Sequence, residues 1–100
     1  MVVHSEDGLD EFSISQKTYV AELKDNNVST YSVEPNDFGI KIGDLNELRA
    51  ENAKESLTLI LDAFSGSKGA ARDIIALNAG AAIYVSGLAD SLNNLSLIHI

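Results

Sequence analysis

Thr18-Tyr19-Val20-Ala21-Glu22-Leu23-Lys24-Asp25-Asn26-Asn27-Val28-Ser29-Thr30-Tyr31-Ser32-Val33 is the stretch on which the fold turns. Thr18 to Lys24 is rich in β-branched and aromatic residues, and Val28 to Val33 alternates in the period of a strand. Asp25-Asn26-Asn27 between them is turn chemistry, because Asn and Asp tolerate positive φ. The stretch predicts a β-hairpin. Val28, Thr30 and Ser32 fall on one face, with Ser29, Tyr31 and Val33 on the other. Neither face is wholly apolar, so the hairpin has to pack on other elements. Tyr19 and Tyr31 read as cross-strand packing residues before they read as ligand-stacking ones.

Upstream, Phe12-Ser13-Ile14-Ser15 alternates as well and predicts another strand, and the Met1-Val2-Val3 opening reads as mid-strand, the mark of a fragment. Between these lies His4-Ser5-Glu6-Asp7-Gly8-Leu9-Asp10-Glu11, four carboxylates within six residues around a glycine. On a turn or strand end, the adjacent Asp10 and Glu11 can lean toward one ion. Such hard oxygens suit magnesium, which is held by one or two carboxylates with water and phosphate oxygens completing its shell. The competing reading is a solvated acidic turn. The order of oxygens does not fit an EF-hand loop. His4 has no second histidine or cysteine near it and reads as a strand-end hydrogen-bonding residue, and no Ser-His-Asp constellation can be assembled around it.

Downstream, Pro35-Asn36-Asp37-Phe38-Gly39 predicts a single turn closed by glycine that returns Phe38 to the core. Leu57, Ile60, Leu61 and Phe64 are spaced as one face of a helix starting near Asp44 or Asn46 and running to Phe64, with Gly66 and Gly69 stopping it. Lys68 and Arg72 read as solvated or helix-end cations, without a function. A second helix, from about Ala70 to Ser86, is apolar on most sides and is expected to be buried, with Gly80 kept for close packing. Asn78 lies within that apolar surface, where an unpaired amide would be costly, so it reads as a satisfied structural amide tying helix to loop. The pattern is α+β: strands and a hairpin followed by two helices.

The chain has 100 residues, enough for one small domain and too few for two. Its net charge of -8 argues against nucleic acid and anionic membranes as partners, and leaves any phosphate-bearing ligand in need of a bridging cation. There is no cysteine, hence no disulfide framework or thiolate zinc site, and a reducing, cytoplasmic setting is expected. No targeting leader is visible, and no apolar run approaches the roughly 18 residues of a membrane span.

The run Val2 to Ser13 resembles the VHGxDGLDE segment of the anthranilate phosphoribosyltransferase family. Val20-Ala21-Glu22-Leu23-Lys24, Pro35-Asn36-Asp37-Phe38-Gly39, Glu51-Asn52-Ala53 and Leu77-Asn78-Ala79-Gly80-Ala81-Ala82 resemble that family's later landmarks in the same order. Ser5 is a departure, standing where the family more often has glycine. The resemblance covers residues 1 to 94. Residues 95 to 100, His99 included, are similar to the translation of a transposon-end adapter used in sequencing libraries, and are expected to be a non-native tail.

The resemblance implies the C-terminal part of a larger α/β domain with a nucleoside phosphorylase or phosphoribosyltransferase-like fold. It further implies an enzyme of tryptophan biosynthesis that moves the phosphoribosyl group of phosphoribosyl pyrophosphate onto anthranilate, with magnesium as cofactor. Asp10 and Glu11 match the family's metal-binding pair, and the full-length protein is expected to be a homodimer. The family's glycine-rich pyrophosphate loop and anthranilate-binding residues have no counterpart in these residues. The alternatives are a pyrimidine nucleoside phosphorylase-like fragment and a noncatalytic acidic α+β module.

Overall fold

The structure, a computed structural model, describes residues 1–87. Strands β1 (Val2–Ser5), β2 (Thr18–Lys24) and β3 (Asn27–Val33) form an antiparallel sheet in that order, followed by helices α1 (Ala53–Phe64) and α2 (Ala70–Val85). The predicted hairpin is there. Lys24 pairs with Asn27, so the loop is Asp25-Asn26, and both residues have positive φ (53° and 66°), as the favoured two-residue hairpin turn requires. Among the described residues no helix is long and apolar enough to cross a membrane. The expectation of a foreign tail lies outside them.

Period-two alternation divides the sheet as predicted. Val20, Ser5 and Thr18 are buried on one face, with Tyr31 and Val33 beside them. Val2, Tyr19, Leu23 and Val28 point to the other face and remain exposed. The buried face closes on Phe12, Ile14, Ile40, Ile74 and Leu77, which form the core. Each large aliphatic side chain so buried contributes on the order of 1.5–3 kcal/mol. Helix α2 supplies much of that core, burying Ala70, Ile74, Ala76, Leu77, Gly80 and Ala81. Pro35–Phe38 forms one 3-10 turn ending at Gly39, and Phe38 packs against the core.

Two expectations are corrected. Phe12 to Ser15 is not a strand. Several of its backbone groups bond to side chains instead of a ladder: Ser13 N–H donates to Thr18 Oγ1 (3.0 Å), and Ser13 Oγ accepts from the amides of Ser15 (3.0 Å) and Gln16 (3.2 Å). Such local hydroxyl bonds compete directly with extended pairing. The first helix also begins later than its apolar spacing suggests. Asp44 caps only a short 3-10 turn, Leu45–Leu48, after which Arg49 is extended (φ −72°, ψ 131°). Asn52 then caps a second start by accepting from Glu55 N–H at 2.9 Å, so the α-helix opens at Ala53.

Gly43 joins the two regions. Its N–H donates to Ile14 carbonyl at 2.8 Å, and a Cβ there would fall 2.8 Å from Ile14 Cδ1. A side chain at this position would have to displace the δ-methyl of Ile14.

Candidate metal-binding site

The acidic stretch leaves β1 at Ser5 and folds back on itself at once. Ser5 N–H donates to Leu9 carbonyl (3.0 Å), Leu9 N–H donates to Ser5 Oγ (3.0 Å), and Gly8 N–H donates to Ser5 carbonyl (3.0 Å). Gly8 has φ +91°, a conformation that glycine adopts without strain. Ser5 itself is an extended, wholly buried strand residue whose hydroxyl is used in the turn.

Asp7 is the hub of this turn. Its Oδ2 accepts from Ser13 Oγ and Ser15 Oγ, both at 2.6 Å, and its Oδ1 accepts from Ser5 Oγ. Burial pushes the Asp7 carboxyl up, but the three hydroxyls and the Leu9 amide together hold it below the usual carboxylate range. Composition singles out Asp10 and Glu11, and it overlooks Asp7. The available signal is the Ser5-x-Asp7 and Ser13-x-Ser15 spacing, which sets short hydroxyls about one acid.

Asp10 and Glu11 sit between two pinned residues. Leu9 is tied to Ser5 as described. Phe12 is gripped by Asn78 of α2: Phe12 N–H donates to Asn78 Oδ1 (2.8 Å), and Asn78 Nδ2 donates to the carbonyls of Phe12 (3.0 Å) and Ile74 (3.0 Å). Asn78 is thus the satisfied amide its setting demands. Asp10 is exposed and Glu11 is half-buried, and no hydrogen bond from a described residue reaches either carboxylate. Burial, and then the charge of Asp10, push the Glu11 carboxyl above its ordinary value. Two close carboxylates without donors are the arrangement a cation relieves.

The rest of the acidic stretch is engaged elsewhere. Glu6 accepts from Tyr19 hydroxyl at 2.6 Å, and His4 is exposed across the ladder from Tyr19. Glu22 accepts from Tyr31 (2.7 Å) and Tyr84 (2.6 Å), fastening the hairpin to the end of α2. Both hairpin tyrosines therefore also hold carboxylates, beyond the packing expected of them. No cluster of three or more histidine, cysteine or acidic side chains suited to a metal occurs among the described residues. The pair offers at most two protein ligands, a donor set that fits magnesium carried with water and phosphate oxygens and does not fit a closed protein cage.

A family model described as glycosyl transferase family, a/b domain, matches residues 1–96. Anthranilate phosphoribosyltransferase of Ruthia magnifica subsp. Calyptogena magnifica is 59% identical over 92 residues, covering 92% of this chain and 27% of the relative. The enzyme of the same name from Marinomonas sp. (strain MWYL1) is 58% identical over 95 residues, with the same two coverages. The crystal structure of anthranilate phosphoribosyltransferase from Thermus thermophilus matches with a TM-score of 0.83 at 30% identity, over 95% of this chain and 28% of that one. The Saccharomyces cerevisiae enzyme in complex with PRPP and Mg has the same fold over 95% of this chain and 28% of its own (TM-score 0.78, 22% identity). The chain spans about a quarter of the length of these relatives, 27% of each of the first two. From the family match over residues 1–96, and from the strands and helices that superpose on solved members, the chain belongs to the glycosyl transferase family and forms part of its a/b domain.

Proposed function

We propose that this chain is the C-terminal part of an enzyme that transfers the phosphoribosyl group of phosphoribosyl pyrophosphate to anthranilate, and that Asp10 and Glu11 are its metal ligands. The observation that carries the reading is the pair itself: two carboxylates that accept no hydrogen bond from the described residues, held between Leu9 and Phe12 in a chain that is 59% identical over 92 residues to a transferase of that name. The names of these relatives favour this reading over a pyrimidine nucleoside phosphorylase. The full-length protein is a cytoplasmic homodimer in the same proposal.

A magnesium ion held by Asp10 and Glu11 with phosphate oxygens would neutralise the negative charge that builds on pyrophosphate as its bond to C1 breaks. The contribution of this chain is to hold two carboxylates where they can ligate, and neither acts as general acid or base. Residues outside this segment bind and orient both substrates.

The test is phosphoribosylanthranilate formation by the full-length protein, followed by its fluorescence with phosphoribosyl pyrophosphate, anthranilate and magnesium present. Turnover supports the assignment. Its absence, with phosphorolysis of a pyrimidine nucleoside in its place, overturns it.

A further inference from the structure

Asn78 does more than satisfy itself. Its amide meets both backbone polar groups of Phe12, as a neighbouring strand would, yet it comes from a helix 66 positions along the chain. A third bond, to Ile74 carbonyl, ties the same amide to its own helix, whose neighbouring residues Ile74 and Leu77 are in the core. The Phe12 side chain is 2% exposed, so the gripped residue is fixed at both backbone and side chain. The residue immediately before it is Glu11. At the other end of the pair, Leu9 is fixed by Ser5. The Asp10 and Glu11 carboxylates accept no hydrogen bond from a described residue, so their placement depends on these two anchors.

We propose that Asn78 is a positioning residue for the acidic pair, holding Phe12 so that the carboxylates of Asp10 and Glu11 converge on one cation. This rests on reading the pair as metal ligands. Groups that orient metal ligands influence affinity strongly, and their loss typically weakens binding by about 10–100-fold. An amide that only stabilised the fold would leave metal affinity unchanged in molecules that remain folded.

The experiment uses the full-length protein with manganese as probe, titrated by the electron paramagnetic resonance signal of the free ion, with phosphoribosyl pyrophosphate and without anthranilate. Asn78→Ser removes the grip. Asn78→Asp preserves the shape and the acceptor for Phe12 N–H while losing the donors, and serves where the serine variant does not fold. The expected result is a manganese dissociation constant raised about tenfold or more, with the anthranilate KM unaltered and turnover restored by excess metal. Wild-type manganese affinity in a folded Asn78 variant overturns the proposal. Asp10→Asn with Glu11→Gln is titrated beside it: unchanged affinity there removes the pair as ligands and the inference with it, whereas weakened affinity there but not at Asn78 removes the inference alone.

Discussion

The Asp7 carboxylate accepts from the Ser13 hydroxyl at 2.6 Å across the mouth of the acidic turn, so side chains close the loop where a ladder does not. Because burial's upward push is outweighed by hydroxyl bonds, the folded Asp7 carboxyl lies below its unfolded value. The stabilisation is therefore fully present above the ordinary carboxylate range and is lost as pH falls through the lower, folded value. Peptide-resolved hydrogen exchange over residues 5–16 should show protection falling on acidification. Asp7→Asn should lose about 1–3 kcal/mol of that protection already at neutral pH. Equal protection in both proteins at neutral pH would remove Asp7 as the hub.

A second carboxylate, Glu22 of β2, fastens the hairpin to α2 through Tyr84 and braces β3 through Tyr31. The bond to Glu22 raises the Tyr84 hydroxyl, and burial followed by the same carboxylate raises Tyr31, both from the ordinary 10.0. Groups raised on folding contribute stability that is whole below the unfolded value and is lost as pH rises through the folded ones. Spectrophotometric titration of the 100-residue chain should place tyrosinate formation above pH 10.0, with Glu22→Gln moving it back down. An identical titration curve for the variant would show that Glu22 does not hold these hydroxyls.

The hairpin, the turn at Pro35 and the buried second helix are legible in the sequence because local chemistry and burial agree there. Asp25-Asn26 wants positive φ, and α2 is apolar on most sides. Phe12 to Ser15 misleads because its alternation is real but its partners are side chains and not a strand ladder: the Thr18 hydroxyl and the Asn78 amide, the latter 66 positions along the chain, where no local pattern reports it. The late start of α1 has a similar cause, since Asp44 and Asn52 are both competent caps and only their surroundings decide between them. Asp10 and Glu11 stand out by adjacency. Asp7 takes on its role only when the fold brings Ser5, Ser13 and Ser15 around it.

Helix α1 has no fully buried residue, and Leu57, Leu61 and Phe64 are 54%, 56% and 73% exposed. With Val2, Leu23 and Val28 also exposed on the outer sheet face, the 100-residue chain by itself should be marginally stable and should associate through these surfaces. Light scattering after size exclusion should find species larger than the monomer, and Leu61→Lys with Phe64→Glu should reduce them. A cooperative, high-temperature transition in a monomer would show that this surface is not the cause. On the proposed reading, which leaves substrate positioning to residues beyond this segment, the chain should also form no phosphoribosylanthranilate.

The most direct measurement is turnover against magnesium concentration in the full-length protein, comparing wild type with Asp10→Asn and Glu11→Gln combined. Both substitutions keep shape and remove charge, so circular dichroism should report an intact fold. The expected result is a severe loss of turnover, on the order of 100-fold or more, since metal-based charge stabilisation is worth several kcal/mol. A wild-type rate at saturating magnesium in the double variant would contradict the assignment of Asp10 and Glu11 to the metal.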